Sequence, residues 1–140
     1  MPIYQCVVPE GSLAPGLRSQ IAAELTRIHC DVTGASPEFV QVLFLDVPQG
    51  AGFVGGQPSA MSNITGYIRA GRSNEVRQQL FLRINAAWRE LTGSPAERLK
   101  ITLFDVPAAW IMQGGRRMPE PGNDKEWLAG LELRGTPTGR

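Results

Sequence analysis

Residues 42–48 read VLFLDVP, and residues 101–107, 59 positions later, read ITLFDVP. The pair Thr33-Gly34 recurs at the same offset as residues 92–93. A repeat at a fixed period reports architecture before any local pattern does. Four apolar positions inside the first copy also have apolar partners in the second: Leu17, Ile21, Leu25 and Val32 fall on Val76, Leu80, Ile84 and Leu91.

The repeat predicts two tandem βαβ halves, at about residues 2–48 and 61–107, within a single domain spanning residues 1–140. Apolar positions spaced three or four apart predict the helices, and short apolar runs bounded by turn residues predict the strands. The predicted elements are strands at 3–8, 39–45, 63–68 and 99–104 and helices at 14–32 and 73–91. Ser12 is the expected cap of the first helix, with Pro15 in its first turn, and Gly34 its expected end.

Because parallel strands need a crossover and each helix supplies one, the expected fold class is α+β. The two units form a four-stranded sheet with both helices on one face. The other face is left uncovered, and an exposed apolar face of this size predicts burial against further copies of the chain. Residues 108–140 lie outside the repeat and should wrap the body or a neighbouring subunit, with Trp110, Met112 and Trp127 as apolar anchors.

Composition narrows the function classes. The chain has 140 residues, with 14 basic and 13 acidic side chains and a net charge of +1. This balance gives no electrostatic signal for nucleic acid or a membrane surface. No apolar run is long enough for a membrane span, and no signal peptide is recognised. Cys6 and Cys30 are too few for a disulfide framework, so two reduced thiols and a cytoplasmic location are expected.

Pro2 is the first candidate for chemistry. Proline is small enough that an initiator methionine is normally removed before it, which exposes a secondary amine at the head of the first strand. Apolar burial and nearby cations lower the pKa of an amine. A neutral amine near pH 7 can then act as a general base. If Met1 is retained, there is no prolyl amine and this chemistry is lost.

Two arginines and the single histidine are the next candidates. Arg69 and Arg72 lie where the third strand leads into the second helix, a position that favours a bound anion. Guanidinium groups there offer bidentate recognition of a carboxylate. His29 flanks the apolar stripe of the first helix, and its repeat counterpart is Trp88, so the two halves are not chemically equivalent.

Other motifs carry no expected site. Residues 50–55 match G-x-G-x-x-G, but a dinucleotide-binding motif must open a helix, and here another strand is expected to follow. One histidine, two distant cysteines and no carboxylate pair at ligand spacing give no metal centre. We therefore expect neither a metal nor a cofactor.

Taken together, the doubled βαβ unit, Pro2, His29 and Arg69-x-x-Arg72 resemble the tautomerase superfamily, and most closely its cis-3-chloroacrylic acid dehalogenase group. The resemblance implies a homotrimer with a tautomerase-like β-α-β fold. It implies that Pro2 acts as acid or base, with His29, on a small unsaturated or 2-oxo acid. It also implies that Arg69 and Arg72 bind the substrate carboxylate.

Two positions depart from that group. Thr102 stands where the dehalogenases have a tyrosine, and Gln113 stands where they have a glutamate that activates water. Both residues are carried over as substrate-binding positions. Because a carboxamide cannot accept a proton as a general base near neutral pH, hydration is disfavoured and keto-enol tautomerisation is expected. A haloacrylate dehalogenase or hydratase is the first alternative. A trimeric homologue with little activity that binds a metabolite or partner is the second.

Overall fold

A computed structural model describes residues 1–134, so residues 135–140 of the C-terminal segment lie outside the described part of the chain. The helices are α1 (Leu17–Thr33), α2 (Asn74–Thr92) and α3 (Asp124–Arg134). The long strands are β1 (Ile3–Pro9), β2 (Gln41–Val47), β5 (Ser62–Arg69) and β6 (Leu99–Val106). Four two-residue strands form the small hairpins: β3 (Phe53–Val54), β4 (Gln57–Pro58), β7 (Met112–Gln113) and β8 (Arg116–Arg117).

The long strands form one sheet in the order β2-β1-β5-β6. Within each half the two strands are parallel, β1 with β2 and β5 with β6, as a crossover helix requires. The halves meet through the antiparallel pair β1 and β5, in which Ile3 lies opposite Tyr67. The predicted pair of βαβ units in a four-stranded sheet is confirmed.

One face of the sheet carries the core. Alternate residues of β1 and β5 point toward the helices, as the two-residue period of a strand dictates. They pack with the apolar stripes of α1 and α2, and these residues are at most 2% exposed: Tyr4, Cys6, Val8, Ile21, Leu25, Ile28, Ile64, Ile68, Leu80, Ile84 and Trp88.

The C-terminal ends of α1 and α2 agree with the sequence-based prediction more closely than their N-terminal ends do. Gly34 and Gly93 end α1 and α2 with φ of +75° and +69°, conformations that favour glycine. The Ser73 hydroxyl caps α2 by accepting a hydrogen bond from Val76 N at 3.2 Å. The prediction that Ser12 caps α1 with Pro15 in its first turn is wrong. The segment before Leu17 is a series of turns, and α1 begins after Gly16.

The second face of the sheet is open in this chain. Leu43 and Leu45 of β2 and Phe104 of β6 are 39%, 50% and 50% exposed. Tyr67 of β5 stacks on Phe104 with ring centroids 5.5 Å apart. These four side chains, the open-face cluster, leave an apolar surface on the side away from the helices.

The C-terminal segment packs on its own chain. Trp127 is 8% exposed and lies edge-on to Phe39, with ring centroids 5.4 Å apart. Phe39 belongs to a 3₁₀ turn and not to the predicted strand, because β2 begins only at Gln41. Trp110 and Met112 are 80% and 68% exposed, so they do not anchor the segment within the chain.

The glycine-rich segment at residues 50–55 leads into the β3–β4 hairpin and not into a helix. None of the helices in residues 1–134 is long and apolar enough to cross a membrane.

Candidate functional site

Four of the six predicted site residues lie close together at one end of the sheet. The antiparallel register of β1 and β5 runs from Val7 opposite Asn63 to Ile3 opposite Tyr67. Extending this register by two residues places Met1 opposite Arg69. The last turns of α1 supply His29, and the loop between β5 and α2 supplies Arg72. The site therefore forms where the start of the first half meets the end of a strand of the second.

Pro2 and Met1 are both buried at this end of the sheet. The Pro2 carbonyl accepts a hydrogen bond from Gln41 N at 3.0 Å, which fixes the start of β1 against β2. With Met1 in place, the Pro2 nitrogen is part of a peptide bond. The amine of Met1 is the basic group here: burial, together with the positive charge of Arg69, lowers its pKa from 8.0 to about 6, although Asp124 partly opposes the shift.

His29 is 2% exposed and shares a hydrogen bond with the Tyr4 hydroxyl, at 2.8 Å from Nδ1. The two rings meet edge-on with centroids 5.6 Å apart. Burial lowers the pKa of His29 to about 3, and the positive charges of Arg72, Arg69 and the terminal amine act in the same direction. His29 is therefore a neutral imidazole at every physiological pH.

Arg69 is almost fully enclosed and is held by a carboxylate from the C-terminal segment. Its Nη1 and Nη2 donate to Oδ1 and Oδ2 of Asp124 at 2.9 and 3.0 Å. Nη1 also donates to the carbonyl of Pro119 at 2.8 Å, and the guanidinium lies 5.3 Å from the centre of the Phe39 ring. Asp124 accepts a further hydrogen bond from Ser36 N at 3.0 Å. Arg69 thus joins the sheet to α3.

Arg72 makes fewer hydrogen bonds within the chain than Arg69 does. Its Nη1 donates to the carbonyl of Thr33 at 2.8 Å, at the end of α1. Its Nε is enclosed and has no hydrogen-bond partner among residues 1–134. Burial, followed by the positive charge of Arg69, lowers the pKa of Arg72.

The charges of this cluster do not balance. Two guanidinium groups face one carboxylate, that of Asp124, and the terminal amine beside them is mostly neutral at pH 7. Because these groups lie in a largely dry environment, an added anion is stabilised more strongly here than at the protein surface. The arrangement suits a small carboxylate next to a neutral amine.

The side chains of Thr102 and Gln113 make no hydrogen bond to this cluster in residues 1–134. Thr102 lies opposite Thr65 on the edge strand β6, on the open face of the sheet. Gln113 lies in the β7–β8 hairpin, opposite Arg116. Their assignment as substrate-binding positions stays a prediction.

Two residues of the cluster have no place in the sequence-based site. Tyr4 could have been found, because it alternates with Cys6 and Val8 on the buried face of β1, where a phenol needs a polar partner. Asp124 gives no such signal, since it follows a turn-rich segment with no periodic pattern.

A cavity with a volume of about 1020 Å³ lies elsewhere. It is at the opposite end of the sheet, between the loop that carries β3 and β4 and the ends of β1 and β2. None of the charged residues of the cluster lines it. No group of three His, Cys, Asp or Glu side chains in residues 1–134 is arranged to hold a metal ion.

A protein-family model described as "Putative oxalocrotonate tautomerase enzyme" matches residues 1–130 of the chain. Among curated protein sequences, no match was found.

Solved structures share the fold. N1, a member of the cis-3-chloroacrylic acid dehalogenase (cis-CaaD) family, is 28% identical with a TM-score of 0.89, and the alignment covers 94% of each chain. The F6 fused 4-OT wild type asymmetric trimer is 20% identical with a TM-score of 0.77, over 82% of this chain and 94% of that one. Pt0534 inactivated by 2-oxo-3-pentynoate is 21% identical with a TM-score of 0.76, over 89% and 98%.

Proposed function

Because the chain belongs to the oxalocrotonate tautomerase family, whose model spans residues 1–130, we propose that it is a tautomerase that uses Pro2 as its acid-base group. Its substrate is a small 2-oxo or unsaturated carboxylic acid, and its reaction is keto-enol tautomerisation. No metal or cofactor is needed for this chemistry.

The observation that carries the proposal is the position of the amine at the head of β1, which is buried beside Arg69, a setting that lowers the pKa of an amine. The Met1 amine lies in a buried site beside Arg69, and its pKa is about 6. Removal of Met1 leaves the amine of Pro2 at the end of the same strand, near Arg69. It also frees the space that the buried Met1 side chain fills. An amine that is neutral at pH 7 is a competent base.

The proton is conserved in the reaction. The neutral Pro2 nitrogen takes the proton from the enol hydroxyl, and negative charge spreads from that oxygen to C3. The protonated amine then returns the same proton to C3, which gives the ketone and restores the neutral amine. General-base help of this kind contributes about 10²–10⁴-fold to the rate.

Arg72 binds the substrate carboxylate in this proposal, because both terminal nitrogens of Arg69 are already held by Asp124. Arg69 contributes its positive charge, which lowers the pKa of the amine and attracts the anion. His29, a neutral imidazole beside both arginines, orients the acid through a hydrogen bond.

A haloacrylate dehalogenase is the second candidate, and the similarity to N1 over 94% of both chains favours it. Hydrolytic dehalogenation needs a base that activates water, and Gln113 cannot serve as one. Tautomerisation needs only the amine and a bound carboxylate, so it remains the preferred reaction.

We also propose a homotrimer. The open-face cluster is too apolar to remain in water, and a 4-OT fusion with this fold is a trimer.

The test starts with the intact mass of the purified full-length protein, which must lack Met1. Phenylenolpyruvate is then followed by ultraviolet absorbance and cis-3-chloroacrylate by halide release. Ketonisation without halide release supports the proposal, and halide release alone supports the dehalogenase. If Met1 is removed and neither ketonisation nor halide release is detected, the tautomerase and the dehalogenase are both rejected and a binding protein is favoured.

The base is tested with Pro2→Ala and with 2-oxo-3-pentynoate, the compound named in the Pt0534 structure. Addition of the Pro2 nitrogen to C4 of this alkyne, with the amine proton ending on C3, raises the protein mass by that of the whole reagent. The label should lie on the N-terminal peptide and block ketonisation. Labelling elsewhere, or a wild-type rate for Pro2→Ala, contradicts the assignment of Pro2.

A further inference from the structure

Tyr4 and His29 form an enclosed polar pair between the sheet and α1. Tyr4 is 0% exposed and His29 is 2% exposed. The Tyr4 hydroxyl lies 2.8 Å from His29 Nδ1, and it has no other side-chain partner among residues 1–134. The Tyr4 hydroxyl and the neutral imidazole of His29 each carry one proton. Because only one proton can lie between the two groups, the hydrogen bond limits where the other can be.

Only one arrangement satisfies both groups. If Nδ1 carried the imidazole proton, it would donate to the Tyr4 oxygen, and the phenol proton would be buried without an acceptor. A buried donor without a partner keeps its full desolvation cost. If the phenol donates to Nδ1, both atoms are paired and the proton of the neutral imidazole lies on Nε2, which is not among the fully enclosed unpaired atoms of residues 1–134. Burial raises the pKa of Tyr4 well above its usual value, so the phenol keeps its proton.

We infer that Tyr4 is a positioning residue that holds His29 in the Nε2–H form, as a hydrogen-bond donor to an oxygen of the substrate acid. His29 then cannot be the base that removes the substrate proton, which leaves that role to the amine. This role in substrate binding rests on the proposed function, whereas the proton arrangement does not.

The charged groups around His29 favour an Nε2 atom that carries a proton and donates a hydrogen bond. Nε2 has no hydrogen-bond partner among the described residues, and the charged groups that face His29 are Arg72, Arg69, the terminal amine and Asp124. The two guanidinium groups favour an anion nearby, and the amine is mostly neutral at pH 7. A substrate carboxylate attracted by Arg72 would therefore present an oxygen to the Nε2 proton.

Gly66 makes the arrangement possible. A Cβ atom at Gly66 would lie 2.7 Å from Cε1 of Tyr4 and 2.7 Å from Cδ2 of Leu103. The tyrosine ring thus lies directly over the backbone of β5, where a larger residue would displace it from His29.

The direct test is a long-range ¹H–¹⁵N correlation spectrum of the ¹⁵N-labelled full-length protein. His29 is the only histidine, so its two ring nitrogens are assigned without ambiguity. We expect a protonated Nε2 and an unprotonated Nδ1 that correlates with a slowly exchanging Tyr4 hydroxyl proton. A proton on Nδ1 overturns the inference.

Tyr4→Phe removes only the hydroxyl, and Tyr67→Phe on the open face is the matched control. Tyr4→Phe should move the Nδ1 resonance to that of an unbonded ring nitrogen, while Tyr67→Phe leaves it unchanged. Loss of the positioning bond should lower kcat/KM for ketonisation roughly 3- to 10-fold, mainly through KM. An unmoved Nδ1 resonance in Tyr4→Phe contradicts the inference. If this variant does not fold, the wild-type spectrum decides alone.

The two proposals can fail separately. The expected spectrum without any ketonisation rejects the tautomerase but leaves the proton arrangement standing. Ketonisation by a protein with a proton on Nδ1 rejects the role of Tyr4 and leaves the tautomerase standing.

Discussion

The carboxylate of Asp124 accepts hydrogen bonds from both terminal nitrogens of Arg69, and the two side chains are only 6% and 1% exposed. The pair connects the end of β5 to the start of α3, so the C-terminal segment is attached to the site itself. It also places a carboxylate of the chain on the cation nearest the terminal amine. Stability and the pKa of that amine are therefore linked through one residue.

Asp124→Asn should destabilise the protein strongly. The substitution leaves Arg69 charged, buried and without its counterion, and breaking a buried pair in this way costs roughly 3 kcal/mol. Urea unfolding at a fixed protein concentration measures the free energy of unfolding.

Asp46→Asn is the matched control, since it removes the carboxylate of an exposed pair with Arg18. It should cost less than about 1 kcal/mol. Equal losses in the two variants would show that the buried pair has no special role.

The acid limb of the pH profile for ketonisation should report the amine. The catalytic form is neutral, so kcat/KM should rise as pH increases through the pKa of Pro2, with a midpoint well below the usual value of a free amine. His29 cannot produce this limb, because its pKa is about 3. Asp124 raises the pKa of an amine at this position, so Asp124→Asn should move the midpoint to lower pH. A shift to higher pH would contradict the electrostatic account.

Arg72→Ala should weaken substrate binding more than it slows the chemistry. Loss of a charged hydrogen bond corresponds to about a 10- to 100-fold rise in KM. Arg77→Ala is the control, because Arg77 of α2 pairs with Asp105 of β6 and makes no hydrogen bond to the site residues. An unchanged KM in Arg72→Ala would mean that Asp124 releases Arg69 to bind the substrate instead.

The sequence predicts most of the site because the repeat predicts the strands and helices on which the site residues lie. Once β1 and β5 are known to be neighbours, Pro2 and Arg69 fall at the same end of the sheet, and the loop to α2 brings Arg72 there too. His29 follows from its place on the flank of α1. The helical spacing that places His29 is encoded locally, whereas the pairing of β1 with β5 joins residues about 60 apart in the chain and was not predicted from the sequence.

Asp124 was not predictable in the same way. It reaches Arg69 across 55 residues of chain, from a segment whose path is set by the packing of Trp127 on Phe39. The cap of α1 was mispredicted for a local reason. Ser12 follows a turn at Pro9, and Gly16, with φ of +82°, delays the helix to Leu17.

The open-face cluster should control assembly. Phe104→Glu places a charge in an apolar surface that, in the proposed trimer, is buried against other copies, and an unpaired buried charge is not tolerated. The variant should therefore elute as a smaller species in size-exclusion chromatography with light scattering, whereas the wild-type chain should elute as the proposed trimer. Leu82→Glu is the matched control, because Leu82 is 63% exposed on α2, away from that face. It should remain a trimer. If Phe104→Glu also remained one, the subunits would have to meet through another surface, such as that of Trp110 and Met112.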